Sequence, residues 1–201
     1  MTEPIRCGLI LLAAGASRRM GRPKQLLPLG GQPLLRHVVT ALLSAPVNPF
    51  VVVLGSQAAE IAPVLAGMPV EIVVNPEWTE GLGSSLRTGV IALERLAPQL
   101  DGLIVALADQ PGLTAAHLAA LLHRHRDTGR SIVASSVADR AMPPAFFSAR
   151  WFPRLSTLTG DQGARALLMA QAAEVAHVPL ADGTDLDTPE DYQRFTDQRP
   201  P

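Results

Sequence analysis

Short, continuously apolar segments alternate along the chain with longer segments in which apolar residues follow a helical period. Continuous apolarity over the length of a strand is typical of strands that are covered on both faces of a parallel sheet. The predicted strands are residues 8–12, 50–54, 70–74, 103–107 and 131–134, and the predicted helices are 33–44, 56–65, 84–96 and 114–125. This alternation predicts right-handed βαβ units in a three-layer α/β sandwich with a mainly parallel, Rossmann-like sheet.

The pattern changes after about Val137, where proline and aromatic residues become concentrated. Beyond that point it predicts a helix, a short strand and a final helix, at 164–173, at 174–178 and from about 188. We expect one domain over residues 1–201, in which about 138–170 form an insertion or lid over the carboxyl edge of the sheet.

Composition restricts the class of protein further. The chain has 201 residues, a formal net charge of −1 and 47% hydrophobic residues, as expected for one globular domain. Because the charge is near neutral and basic runs are absent, we expect neither a nucleic-acid partner nor a membrane-surface partner. The single cysteine, Cys7, excludes an internal disulfide, and it is predicted to be a buried thiol. Without a signal-peptide pattern or an apolar run of membrane-spanning length, the cytoplasm is the expected compartment.

Candidate chemistry begins in the loop that follows the first strand. Small residues at 13–17 allow backbone N–H groups to approach an anion, and Arg18, Arg19 and Lys24 flank them. In a doubly wound sheet this loop lies at the carboxyl edge, where such folds bind ligands. The segment fits neither a Walker loop nor a dinucleotide fingerprint. It therefore predicts another kind of phosphate site, the alternative being a tight turn with solvated basic residues.

The loop resembles the nucleotidyltransferase motif Leu-Ala-x-Gly-x-Ser-x-Arg-Met-Gly-x-x-Lys. More narrowly, the chain resembles the molybdenum cofactor cytidylyltransferase family, relatives of the molybdenum cofactor guanylyltransferases. Four further segments carry this resemblance in order, at 74–89, 108–111, 158–165 and 185–192. It covers nearly the whole chain and implies the fold of nucleotide-diphospho-sugar transferases and Mg²⁺-dependent nucleotidyl transfer.

The resemblance also implies roles for individual residues. The residues implied to bind the nucleoside triphosphate fall into three groups. The backbone around Ala14, Gly15, Ala16 and Ser17 wraps the phosphates, Arg19 and Lys24 contact them, and the loop with Gly81 and Ser85 helps to recognise the nucleobase. Asp109 and Asp187 are implied as ligands of Mg²⁺, and Arg19, Lys24 and Asp109 as the catalytic residues.

The chemistry of the two aspartates is consistent with these roles. Asp109 follows the predicted strand 103–107 directly, and Mg²⁺ is typically held by one or two carboxylates together with phosphate oxygens. The alternatives are a turn residue at Asp109 and a helix N-cap at Asp187, and Asp185 competes with Asp187 as the second ligand. For Ser84 and Ser85 the alternative is likewise a helix N-cap.

The sequence contains no evident catalytic base. A phosphate monoester needs none, because its second pKa is about 6 and it is already largely ionised at neutral pH. Catalysis then consists of in-line positioning and of neutralising the charge on the phosphates.

The leading hypothesis is therefore transfer of CMP from CTP to molybdopterin. A transient contact with a molybdoenzyme is a further partner compatible with this hypothesis. CTP is favoured over GTP because Leu12–Gly15 resembles the cytidylyl branch, whereas guanylyl relatives usually have glycine at the position of Ala14. Many relatives also have glycine where this chain has Asp139 and Met142, and the bulkier residues predict a reshaped acceptor pocket. Two alternatives are transfer to a sugar phosphate or polyol phosphate, and a non-catalytic accessory protein that binds nucleotide or cofactor.

Overall fold

A central sheet of seven strands organises the computed structural model, which describes residues 4–161 and 163–198. The strands are β1 (Cys7–Ala13), β2 (Pro28–Leu29), β3 (Gln32–Pro33), β4 (Phe50–Leu54), β5 (Glu71–Val74), β6 (Gly102–Leu107), β7 (Ile132–Val137), β8 (Arg140–Ser148) and β9 (Val175–Pro179). The α-helices are α1 (Leu34–Leu42), α2 (Ala58–Ile61), α3 (Leu82–Leu96), α4 (Ala115–Thr128), α5 (Phe152–Leu155), α6 (Gly163–Ala170) and α7 (Pro189–Asp197). Gln162, within the motif at 158–165, lies outside the described residues.

The strands follow the order β5–β4–β1–β6–β8–β7–β9, and β2 and β3 form a separate hairpin. Neighbouring strands are parallel except where β8 pairs with β6 and with β7. The prediction of a mainly parallel sheet is therefore confirmed. The carboxyl ends of β1 and β6, which are adjacent and parallel, lie side by side at one edge.

Burial on both faces explains the continuous apolarity of the central strands. Every residue of β1 and of β4 is buried. Successive residues of β1 enter opposite clusters: Leu9 and Leu11 pack with α1, α4 and α7, whereas Ile10 and Leu12 pack with α3, α5 and α6. The sheet thus has a helical layer on each side, which confirms the three-layer sandwich.

The segment around 138–170 differs from the expected insertion. Residues 140–148 form β8, which lies between β6 and β7, and Phe146 and Phe147 are fully buried. The sequence pattern does not indicate a strand here because Pro143 and Pro144 interrupt the apolar run. Proline has no backbone N–H to donate, and the register between β7 and β8 shifts opposite these two residues. Residues 140–148 therefore belong to the sheet. A lid role stays a prediction for the other residues of the segment.

Cys7 is buried, as predicted, and its burial raises the pKa of the thiol well above the usual range. Among the described residues, no helix combines the length and the apolarity needed to cross a membrane.

Candidate active site

A cavity of about 560 Å³ opens at the carboxyl ends of β1 and β6. The structure brings together here all the residues that the sequence analysis singled out as site residues: Ala14, Gly15, Ala16, Ser17, Arg19, Lys24, Gly81, Ser85, Asp109 and Asp187. Their proximity follows from the topology, because β1 and β6 are neighbours and the loops after them face each other. The individual roles remain predictions.

The loop after β1 is fixed by buried polar side chains. Gln25, which is 2% exposed, donates from Nε2 to the carbonyl oxygens of Ala13 at 2.7 Å and Gly15 at 3.1 Å. Ser17 adopts a left-handed backbone conformation, and its Oγ accepts from the Lys24 N–H at 3.0 Å. The loop is therefore pre-shaped. The sequence analysis missed Gln25, although a polar residue directly before the apolar pair Leu26–Leu27 was a usable signal.

One ammonium joins the two aspartates implied as metal ligands. Lys24 Nζ lies 2.5 Å from Asp109 Oδ2 and 3.1 Å from Asp187 Oδ1, and Arg19 lies 2.8 Å from Asp187 Oδ2. The side chains of Lys24 and Asp109 are only 17% and 16% exposed. Burial lowers the pKa of Lys24, but the charges of Asp109 and Asp187 outweigh it and raise the pKa overall. The lysine is therefore held as the cation.

The position of Asp187 results from the way the C-terminal segment returns to the sheet. The Leu186 N–H donates to the Asp109 carbonyl at 2.9 Å, which fastens this segment to the end of β6. Thr188 is the N-cap of α7 and forms a capping box with Asp191. The alternative that Asp187 is the N-cap is therefore wrong, because the hydroxyl one residue later satisfies the first turn.

Asp185 has a different environment. Its Oδ1 accepts from Gln110 Nε2 at 2.9 Å, and burial together with the charge of Asp109 raises its pKa. Asp187, by contrast, shares Lys24 with Asp109. This arrangement favours Asp187 over Asp185 as the second carboxylate. Gln110 was missed from sequence, because its role depends on a residue that is distant along the chain.

The donor set is suited to a hard divalent cation. Asp109 Oδ1 is buried and has no hydrogen-bond partner among the described residues, which leaves its lone pairs without a hydrogen bond. Over the same residues, no group of three or more histidine, cysteine or acidic side chains could hold a metal ion. Two carboxylates match Mg²⁺, which usually retains waters and binds phosphate oxygens. The residues therefore fit such an ion.

The loop before α3 needs glycine for two reasons. Gly81 has φ of 109°, and a Cβ built there would lie 2.3 Å from Asp161 Oδ1. Gly81 is also the N-cap of α3, so the N-cap alternative for Ser84 and Ser85 is wrong. Their hydroxyls accept instead from Asn75 Nδ2 at 2.9 and 3.1 Å, which fixes the loop beside the cavity.

A second cavity, of about 980 Å³, adjoins the first. Leu12, Leu82, Leu107, Asp161 and Asp185 line both cavities. Met142 lines the second cavity, and its role in shaping an acceptor pocket stays a prediction. Asp139 lies in the turn between β7 and β8 with φ of 61° and is not among the lining residues that the structure describes.

A mainly parallel α/β sheet with a small-residue loop, two cations and two carboxylates at its carboxyl edge defines a protein of the nucleotidyltransferase class. Comparison with known families makes this specific. The chain belongs to the family of the MobA-like NTP transferase domain, whose family model matches residues 9–175.

The chain is similar along nearly its whole length to relatives and to solved structures that carry different names. The chain is 36% identical to nicotine blue oxidoreductase of Paenarthrobacter nicotinovorans, over 92% of this chain and 94% of that protein. It is 33% identical to the purine catabolism protein PucB of Bacillus subtilis, over 96% of both chains. The crystal structure of an rv0371c homolog from Mycobacterium sp. strain JC1 is 33% identical, covers 96% of both chains and has a TM-score of 0.82. The Rv0371c structure from Mycobacterium tuberculosis (29% identity, 96% and 98% coverage, TM-score 0.77) is a complex with manganese.

Proposed function

We propose that the protein transfers CMP from CTP to molybdopterin with the help of Mg²⁺ and releases pyrophosphate. The observation that carries the proposal is the cluster of Lys24, Asp109 and Asp187 beside the loop after β1. A protein that only binds nucleotide does not need a second carboxylate beside the phosphate loop. The cluster therefore favours an enzyme over an accessory protein.

The loop supplies the triphosphate site. Residues 14–17 line the cavity, and Arg19 and Lys24 line the same space. Gln25 holds the loop in one conformation, so little ordering is needed when the anion binds. We propose that this loop binds the phosphates and that Lys24 and Arg19 neutralise charge on them during transfer.

Asp109 and Asp187 are the residues that would hold Mg²⁺. The ion, when bound, supplies positive charge to the phosphate oxygens at which negative charge develops. The unpartnered Asp109 Oδ1 supports this assignment from this chain, and the manganese complex of Rv0371c supports a divalent ion from a relative. The choice of Mg²⁺ rests on the resemblance.

The acceptor is proposed to enter from the second cavity, which shares Leu12 and Leu107 with the first. A phosphate monoester arrives already ionised, with a second pKa of about 6, and so needs no base. The names of the relatives do not fix the acceptor, since one is an oxidoreductase and another a purine catabolism protein. Molybdopterin, the cytoplasmic location and contact with a molybdoenzyme therefore rest on the resemblance and stay predictions.

The preference for CTP is proposed to depend on Ala14. Its carbonyl oxygen accepts from the Ser56 N–H at 3.0 Å, and its methyl is so close to Gly55 that a Cβ added there would lie 2.9 Å away. This packing supports a stiffened loop beside the nucleobase. One methyl in a pocket contributes about 1–3 kcal/mol, so Ser85 must share the discrimination.

A thermal-shift panel of nucleoside triphosphates with Mg²⁺ tests the nucleotide part, since specific binding raises the Tm by mass action. We expect CTP to give the largest shift, and Asp109→Asn to lose the Mg²⁺-dependent part of it. The largest shift with GTP would overturn the base assignment.

The acceptor is tested separately by measuring pyrophosphate release from CTP and Mg²⁺ with molybdopterin, a sugar phosphate or a polyol phosphate added in turn. Only the true acceptor should stimulate the release.

A further inference from the structure

The two carboxylates that would hold the metal are already joined by a cation of this chain. Lys24 Nζ is within hydrogen-bond distance of both Asp109 and Asp187, and Arg19 contacts the remaining oxygen of Asp187. A compact positive charge that bridges two carboxylates occupies the same electrostatic position as a divalent cation would. Two cations cannot share that position without strong repulsion.

The choice of residue at this position is distinctive. Lys24 is the only lysine in the chain, against sixteen arginines. Arginine is a planar fork that forms bidentate pairs, whereas lysine is a point charge on a flexible four-carbon stem. A point charge that can swing away suits a position that must be vacated, and a planar fork does not.

Lys24 lines the cavity, and the backbone contacts around the two carboxylates do not involve its side chain. The Lys24 backbone is held by Ser17 Oγ, so the flexible part is the side chain alone. The hydrogen bond from the Leu186 N–H to the Asp109 carbonyl keeps the Asp185–Asp187 segment at the end of β6 independently of Lys24. Asp109 Oδ1 remains buried and unpartnered beside this contact, as the oxygen that an ion could take.

We propose that Lys24 is an internal competitor for the divalent cation: its ammonium occupies the metal position between Asp109 and Asp187 and must move out before the ion binds. A nucleoside triphosphate gives the displaced ammonium a new anionic partner, so metal and nucleotide bind more tightly together than apart. This consequence for the nucleotide rests on the proposed function, whereas the competition with the metal does not.

Binding of Mn²⁺ to the purified full chain without nucleotide, followed by electron paramagnetic resonance, tests the competition. If the bridged arrangement is populated in about nine molecules of ten, it raises the apparent Kd about tenfold. We therefore expect Lys24→Met to bind Mn²⁺ about tenfold more tightly than the wild type. The matched control is Arg22→Met, which removes one exposed charge from the same loop. Unchanged affinity in Lys24→Met, or an equal gain in both variants, overturns the proposal.

A second measurement uses the wild-type chain and so does not depend on how a variant folds. Because the chain has one lysine, growth on [ε-¹³C]lysine gives a single side-chain NMR signal. We expect that signal to shift during an Mg²⁺ titration with the midpoint of metal binding. A signal that is unchanged at saturating Mg²⁺ overturns the proposal. Neither measurement requires CTP or an acceptor, so a failure of the proposed transfer reaction is separately recognisable.

Discussion

Replacing Asp109 with asparagine removes one negative charge from the site and preserves the volume of the side chain. Lys24 then loses its partner at 2.5 Å but keeps Asp187 at 3.1 Å. The loss of stability should therefore stay below the roughly 3–5 kcal/mol typical of an uncompensated buried charge. We expect about 1.5–3 kcal/mol, because the substitution removes one hydrogen bond between charged groups, which contributes about that much, and the bond from Lys24 to Asp187 remains.

We expect Asp109→Asn to reduce the turnover rate severely while the protein stays folded. Losing a group that holds or stabilises developing charge in such a site typically reduces the rate on the order of a hundredfold or more. The measurements are urea unfolding and pyrophosphate release at saturating Mg²⁺. Asp101→Asn is the matched control, because Asp101 precedes β6 as Asp109 follows it, and it pairs with Arg6 at the surface. Near-normal turnover in Asp109→Asn, with the control also normal, would refute the role of Asp109.

Three further predictions concern single positions of the cavity. Arg19→Met should reduce pyrophosphate release while leaving the Tm nearly unchanged, because the side chain is 70% exposed and surface pairs contribute little; an unaltered rate contradicts the phosphate role. Gly81→Ala should destabilise the protein by about 1–3 kcal/mol in urea unfolding, because a Cβ there meets Asp161 and φ is positive; a stability equal to the wild type contradicts the close contact. Ala14→Gly should increase the use of GTP relative to CTP when both compete, by no more than about 10–200-fold for one methyl; an unchanged ratio removes Ala14 from base selection.

The general architecture was predictable because burial on two faces has a direct sequence signature. The strands β1, β4 and β6 are continuously apolar, and almost all of their residues are buried. β8 was not predictable in the same way, because Pro143 and Pro144 suggest a loop until the bulge opposite them is seen.

The grouping of the charged residues around one cavity was predictable, whereas the polar residues that position them were not. Arg19, Lys24 and Asp109 follow strand ends, where chemistry is expected in this fold. Gln25 and Gln110 act through partners that sequence spacing does not indicate, namely loop carbonyls and Asp185. The helix start at Gly81 likewise depends on its contact with the 159–161 segment.

The proposed reaction is transfer of CMP from CTP to molybdopterin at the cluster of Lys24, Asp109 and Asp187. The most direct measurement incubates the purified protein with α-³²P-labelled CTP, unlabelled GTP, Mg²⁺ and molybdopterin, and identifies the labelled product. We predict a cytosine dinucleotide of molybdopterin, formed together with one equivalent of pyrophosphate and lost in Asp109→Asn. Molybdopterin that remains unmodified while CTP demonstrably binds would contradict the claim.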